Sequence, residues 1–303
     1  MENIDALRIN FSPDQLTLLN FCLGFLMFGV ALDIKLKDFQ LLFKNPRPPL
    51  VGLVSQLFLL PLLTLGLTFV LNVQPSIALG MILIAACPGG NVSNFAVYLA
   101  KGNTALSVLM TSVSTLMAIF TTPLLFGVLS QFVPNTASLS QAISVDPVEM
   151  IITIIKLVVV PLAIGMSINH FSPSITRRIQ TPTKILSMLI FFGIVFFGIK
   201  GNWDNILTYV DDIFFIVLLH NSLAFLLGFG WAKWMNMSAR NTKAISIETG
   251  IQNSGLALII ALNFFSDLGG MALVAAWWGI WHLLSGFVVA MWFSRIDSAI
   301  ASR

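Results

Sequence analysis

Nine apolar runs, joined by short polar connections, follow one another along this chain, and each is long enough to cross a bilayer. They fall at about residues 15–32, 49–71, 75–100, 104–130, 149–169, 183–200, 209–232, 241–265 and 268–293. A spanning helix needs about 20 mostly apolar residues. Inside lipid every backbone polar group must be satisfied within the protein, which leaves only helices or a closed barrel. Runs of this length select helices. Composition agrees, with 57% hydrophobic and 10% charged residues and a mean hydropathy of +0.90. The fold class is an all-α polytopic membrane protein with nine transmembrane helices, M1 to M9. The joints, such as Asn45-Pro46-Arg47-Pro48-Pro49 and Asn72-Val73-Gln74-Pro75, are too short to hold a soluble domain.

Orientation follows from basic residues, which collect on the cytoplasmic side. Lys35, Lys37, Lys44, Arg47, Lys101, Arg177, Arg178, Lys184, Lys233, Arg240, Lys243, Arg295 and Arg303 lie on one side, and Arg8 and Lys200 on the other. The N-terminus is therefore expected outside and the C-terminus in the cytoplasm of a plasma (inner) membrane. Glu2 and Asp5 precede the first run, so a basic signal-peptide start is not expected. Cys22 and Cys87 lie in apolar runs and offer neither a disulfide framework nor a metal spacing. The basic residues are dispersed over loops, which argues against nucleic acid as a partner.

Two runs carry interruptions. M3 contains Cys87-Pro88-Gly89-Gly90-Asn91-Val92-Ser93-Asn94, and M8 contains Glu248-Thr249-Gly250-Ile251-Gln252-Asn253-Ser254-Gly255. Proline removes a backbone donor and glycines loosen a helix. Either stretch alone also reads as a Gly-rich packing face. Their pairing favours breaks. M3 and M8 lie five spans apart, so they cross in opposite directions, and each follows a span with a mid-helix amide, Gln56 in M2 and Asn221 in M7. Interrupted helices at matching places in two halves point to an inverted-repeat transporter.

Glu248 is the acidic residue set deepest in an apolar run. Its charge at mid-bilayer costs roughly 2.5–3.5 kcal/mol, and no Lys or Arg stands three or four residues from it. A dissolved cation offsets that cost, and hard cations take oxygen ligands. Ser93, Asn94, Ser107, Thr111, Gln56 and Gln252 supply oxygens; Ser107 and Thr111 share a helix face, although their hydroxyls also suit bonds to their own helix backbone. His220 reads as a hydrogen-bonded structural histidine, and His282 as structural or ligand-facing. Lys156, deep in M5, either snorkels, caps a helix end or meets substrate. No hydrolase, nucleotide or metalloprotease motif appears, so the chain is not expected to be an enzyme.

The strings from Cys87 to Asn94, from Ala105 to Thr115 and from Glu248 to Gly255, with Leu219-His220-Asn221 and Trp281-His282, resemble the bile acid:sodium symporter family. The likeness runs from Met27-Phe28-Gly29 to M9 and fits the family's nine-span form. It implies crossed discontinuous helices in a core domain of residues 49–130 and 209–293 (M2–M4, M7–M9), against which a panel domain of residues 1–32 and 149–200 (M1, M5, M6) rocks. It implies two Na⁺ sites. One uses Ser93, Asn94, Ser107, Thr111 and Glu248. The other uses Gln56, Glu248 and Gln252, with the carbonyls of Thr249 and Ile251. Asn91, Asn253 and His282 would contact substrate. Leu283 stands where some bacterial relatives have Asn, which removes a polar contact found in those carriers of small acids such as pantoate and leaves small carboxylates among the open substrates. The expected function is sodium-coupled uptake of an organic anion, bile-acid-like or another carboxylate or sulfonate, by alternating access in a monomer. A proton-coupled organic-acid carrier using Glu248 and a non-transporting membrane sensor are the alternatives.

Overall fold

The structure, a computed structural model, describes residues 4–6, 13–32, 34, 44–90, 92–136, 146–201 and 203–301. Among these residues regular structure is helical, and no strand forms. The helices are α1 (Pro13–Ala31), α2 (Arg47–Val54), α3 (Leu60–Leu71), α4 (Pro75–Ala86), α5 (Val92–Leu99), α6 (Thr104–Leu129), α7 (Pro147–Ile154), α8 (Val160–Phe171), α9 (Pro173–Gly201), α10 (Trp203–Trp234), α11 (Ala239–Gly250), α12 (Ser254–Phe264) and α13 (Gly269–Ala301). Among the described residues, five helical stretches are long and apolar enough to cross a membrane: Arg47–Leu71, Thr104–Phe132, Val148–Phe171, Ile213–Trp234 and Gly269–Arg295. Large side chains such as Phe21, Val70, Phe120 and Leu124 are exposed on the outside. In water such surface is a liability; in lipid it is the solvent-matched face. The expected spans 75–100 and 241–265 each form two short helices, α4/α5 and α11/α12, because both break near their middles.

Helix ends follow local chemistry. Proline opens α4 and α7, where its missing N–H costs nothing. Asn103, Asp146, Ser238 and Asn253 cap α6, α7, α11 and α12 through their side-chain oxygens. Asn72 closes α3 in the left-handed region, at φ 45°.

Two features were not read from sequence. A π-helical turn, Ser55–Leu59, joins α2 to α3, and another, Ile155–Val159, joins α7 to α8. Each is closed by a backbone N–H reaching five residues back, from Leu60 to Ser55 and from Val160 to Ile155. Each is followed, one residue further on, by a proline, Pro61 or Pro161. A helix relieves the proline's clash with the preceding turn by widening there. The first π-turn carries Gln56, which is fully buried.

The buried residues form two large clusters on either side of the breaks. One holds α4, α12 and the first half of α13, with α1 packed on it; the other holds α5, α11, the start of α6 and the second half of α13. Each broken segment therefore contributes one half-helix to each cluster, which puts the two breaks at the level between them. Separately, α1 packs along α8, α9 and the second π-turn.

Candidate functional site

Where the broken segments cross, their unwound backbones pair. Gly89 and Gln252 face each other antiparallel. Gly90 N–H donates to Ile251 O at 3.0 Å, and Asn253 N–H donates to Pro88 O at 2.8 Å. Unwound backbone at membrane depth survives only when satisfied by protein or a wet cavity, and here each break satisfies the other. Side chains take further open groups. Thr122 Oγ1 donates to Ala86 O at 2.8 Å, and Gly89 N–H donates to Ser114 Oγ at 3.2 Å. Asn221 Nδ2 donates to Gly250 O at 2.7 Å and is oriented by Ser285 Oγ, 2.6 Å from its Oδ1. The paired glycines serve close approach, since no glycine among the described residues has positive φ. A Cβ on Gly89 would lie 2.8 Å from Gln56 Nε2 and 2.9 Å from Glu248 Oε2; one on Gly90 would lie 2.9 Å from Gln252 O.

The Glu248 carboxylate is fully buried beside this crossing. Ser93 Oγ donates to its Oε1 at 2.5 Å, Ser107 Oγ donates to the same oxygen, and Thr111 Oγ1 lies 3.1 Å and 2.9 Å from Oε1 and Oε2. Asn94 Oδ1 joins them, 2.7 Å from Ser107 Oγ and 3.4 Å from Thr111 Oγ1. Each hydroxyl has one proton to give. Ser107 has both Asn94 Oδ1 and Glu248 Oε1 within reach, and Thr111 has those two residues and the Ser107 carbonyl. Lone pairs thus outnumber protons in this cluster, which is the donor set a hard cation takes.

A second set of oxygens lies on the other side of Glu248. Gln56 Nε2 donates to Glu248 O at 3.1 Å, and Gln252 Nε2 reaches Thr249 O at 2.9 Å and Glu248 O at 3.4 Å. The other ends of these amides, Gln56 Oε1 and Gln252 Oε1, are buried with no hydrogen-bond partner. A buried acceptor left alone costs about 1–3 kcal/mol. Two such acceptors, on amides whose nitrogens meet at one helix end, fit a cation that supplies what the protein withholds. The carbonyls of Thr249 and Ile251 end the same turn, and Thr249 Oγ1 is held by Ile245 O (2.8 Å) and Ser55 Oγ (2.9 Å).

The expected oxygen residues Gln56, Ser93, Asn94, Ser107, Thr111, Glu248, Thr249, Ile251 and Gln252 are thus all gathered at the crossing. The expected anion contacts are not gathered in the same way. Asn91 lies outside the described residues. Asn253 uses Oδ1 to accept Leu256 N–H at 3.0 Å, capping α12, and its Nδ2 faces Met27 Sδ of α1 at 3.9 Å. His282 is buried on α13, and no described hydrogen bond joins it to Asn253 or Glu248. His220 pairs through Nε2 with Thr64 Oγ1 at 2.7 Å; that hydroxyl donates to Leu60 O at 2.8 Å, so the histidine is the donor. With its ring edge against Trp278, it matches the structural reading. Lys156 is exposed in the second π-turn.

Ser55, Ser114 and Ser285 were missed. Ser114, three residues after Thr111 on α6, carried a detectable signal in its helical spacing. Ser285 did not, because its partner Asn221 is 64 positions away. Lys243, expected among the cytoplasmic loop cations, is buried within α11.

Comparison with known proteins gives the family of the chain. A family model described as "Sodium Bile acid symporter family" matches residues 20–209. The chain is 37% identical over 273 residues to "Uncharacterized sodium-dependent transporter YocS" of Bacillus subtilis (strain 168), covering 90% of this chain and 82% of that one. It is 31% identical over 270 residues to "Probable sodium/metabolite cotransporter BASS2, chloroplastic" of Oryza sativa subsp. japonica, covering 84% of this chain and 62% of that one. With "Probable sodium/metabolite cotransporter BASS1, chloroplastic" of Arabidopsis thaliana, identity is 29% over 244 residues, 80% of this chain and 58% of that one. The chain therefore spans about three-fifths of the length of these plant relatives.

Proposed function

The chain belongs to the sodium bile acid symporter family, and from that premise we propose that it is a sodium-coupled symporter carrying an organic anion by alternating access. The observation that carries this reading is the buried Glu248 carboxylate flanked by two oxygen sets, one of which leaves Gln56 Oε1 and Gln252 Oε1 unpartnered. Two Na⁺ ions are assigned. The first takes Ser93, Asn94, Ser107, Thr111 and Glu248; the second takes Gln56, Glu248, Gln252 and the carbonyls of Thr249 and Ile251. A carboxylate shared by two cations leaves a net positive site, to which an anion adds favourably. Half-helix polarity supports the same division. The C-termini of α4 and α11 end at the crossing, with carbonyls that suit cations, while α5 and α12 start there, with N–H groups that suit an anion. Asn91, Asn253 and His282 are assigned to the anion.

A proton on Glu248 is the competing reading. A single proton would satisfy the carboxylate and still leave both glutamine carbonyls unpartnered, so the sodium reading accounts for more of the site.

In this reading nine spans cross the plasma membrane, with the N-terminus outside. Residues 49–130 and 209–293 form a core that holds both ions. Residues 1–32 and 149–200 form a panel, supported by the packing of α1 on α8 and α9. The panel moves against the core along the α1–α12 seam. There Asn20 and Asn263 exchange two amide hydrogen bonds, of 3.2 Å and 3.0 Å. The adjacent cleft between Leu19, Cys22, Leu23, Leu26, Gly255, Leu258 and Ile259 has a volume of about 20 Å³, room for one water. The seam is closed in this state. One chain holds the whole site, so the monomer is the working unit. Each charge moved inward gains about 2.3 kcal/mol per 100 mV of membrane potential.

Anion uptake into proteoliposomes under an imposed Na⁺ gradient, at equal pH on both sides, tests the reading. Wild type should concentrate a bile-acid-like or other organic carboxylate or sulfonate only with the gradient present. Glu248→Gln should insert normally and lose both uptake and stabilisation by Na⁺. Full Na⁺-driven uptake by the variant, or uptake by wild type that follows a pH gradient alone, would remove sodium from the mechanism.

A further inference from the structure

Lys243 stands on α11 five residues before Glu248 and is only 5% exposed. Its Nζ donates to two main-chain carbonyls on other elements, Ala100 O and Phe293 O, each at 3.0 Å. Ala100 closes α5. Its own N–H binds Ala96 O at 2.9 Å, Lys101 then turns into the left-handed region at φ 55°, and Gly102 N–H returns to Val97 O at 2.9 Å. The Ala100 carbonyl is thus at the C-terminal end of the half-helix, where aligned peptide dipoles leave partial negative charge and a cation is favourable. Phe293 belongs to α13. One ammonium therefore ties α5, α11 and α13 together.

Seven residues before Ala100 on α5 is Ser93, with Asn94 beside it, and both face Glu248 or its hydroxyl partners. The two helices are consequently joined at two levels, by Ser93 on Glu248 and by Lys243 on Ala100. The two joints differ in kind. When an ion enters, the Ser93 and Ser107 protons must leave the carboxylate so that oxygen lone pairs can turn to the cation. The joint between α5 and α11 at Glu248 is then rebuilt around the ion. The joint at Lys243 runs from an ammonium to carbonyls and involves no atom of the ion site, so it persists through that exchange.

We propose that Lys243 is a positioning residue for sodium binding: it holds the end of α5 on α11 and α13, and so keeps the Ser93 and Asn94 oxygens at Glu248 while their hydrogen bonds are traded for an ion. The proposal rests on the sodium reading above. It assigns to Lys243 an effect on ion affinity that a residue contributing only to folding would not have.

The test is a sodium titration of thermal stability in lipid nanodiscs, with K⁺ holding ionic strength constant, for wild type, Lys243→Met, Lys243→Gln and Lys243→Arg. Lys243→Met and Lys243→Gln should raise the Na⁺ concentration for half-maximal stabilisation about tenfold, the scale of one lost charge-assisted bond. Lys243→Arg keeps charge and donors and should remain closer to wild type than either. Lys243→Gln retains one amide donor, so it decides the matter if Lys243→Met does not insert. An unchanged half-saturation, accompanied by a lower unfolding midpoint in K⁺ alone, overturns the proposal and leaves Lys243 a purely structural cap. Absence of Na⁺-specific stabilisation in wild type is a different result, which overturns the sodium reading itself.

Discussion

Asn253 uses one end of its side chain for architecture and leaves the other to the anion in the proposed function. Its Oδ1 caps α12 through Leu256 N–H, while among the described residues its Nδ2 meets the weak acceptor Met27 Sδ at 3.9 Å. Replacing it by Ala removes both functions and confounds cap loss, worth about 1 kcal/mol, with anion binding. Asn253→Ser keeps an oxygen suited to the cap and removes the amide donor. It should weaken anion binding by about 1–3 kcal/mol with Na⁺ affinity nearly unchanged, measured by calorimetric titration with Na⁺ and then anion. Loss of Na⁺ binding with intact anion affinity would reverse the assignment of the two sites. The carboxylate itself was legible in the sequence, because a lone acid deep in an apolar run has to be compensated. So were Ser107 and Thr111, four apart on one helix. The orphaned carbonyl of Gln56 was not, because its amide is held by Glu248, 192 positions away.

At the scale of elements, the discontinuities are what make the site. Pro88 with Gly89 and Gly90 announced the first break. The second, without proline, was read from its match to the first. Each is stabilised by the other through the Gly90–Ile251 and Asn253–Pro88 bonds, so neither is a local property of its own segment. The π-turns sat behind Pro61 and Pro161 in plain view, but proline also permits a simple kink; only the buried position of Gln56 against Glu248 O gives the first one a use. In the proposed function, the α1–α12 seam is the element that alternating access would open. The Asn20–Asn263 pair contributes two neutral hydrogen bonds, about 1 kcal/mol each, so Asn20→Ala with Asn263→Ala should shift the open-to-closed ratio about tenfold or more. Cys22 lines this seam and is 8% exposed, which makes it a native reporter. Its alkylation, located by peptide mass mapping, should rise in the double variant. A cysteine pair at positions 20 and 263 should, once oxidised, stop transport, and reduction should restore it. Unchanged Cys22 reactivity together with transport through the oxidised pair would place the moving interface elsewhere.

For the whole molecule, the basic bias predicts residues 33–48 in the cytoplasm and 131–148 outside. Single cysteines at Lys44 and Thr136 should be labelled by an impermeant thiol reagent from opposite faces, against low background from the buried Cys22 and Cys87. Labelling of both from one face would overturn the nine-span arrangement. What the sequence determined by itself was the solvent and the repertoire. Long apolar runs call for lipid, runs of that length in lipid call for helices, and a deep carboxylate calls for a positive charge to offset it. These are local or compositional consequences, readable within one segment. The tertiary structure decided which groups meet. It crossed the two breaks so that they complete each other's hydrogen bonds. It turned Gln56 onto Glu248 so that its carbonyl stays unpartnered, and it drew Lys243 out of the expected loop to cap α5. Each of these depends on contacts between segments far apart in the chain, where helical periodicity carries no information and only packing sets the partner.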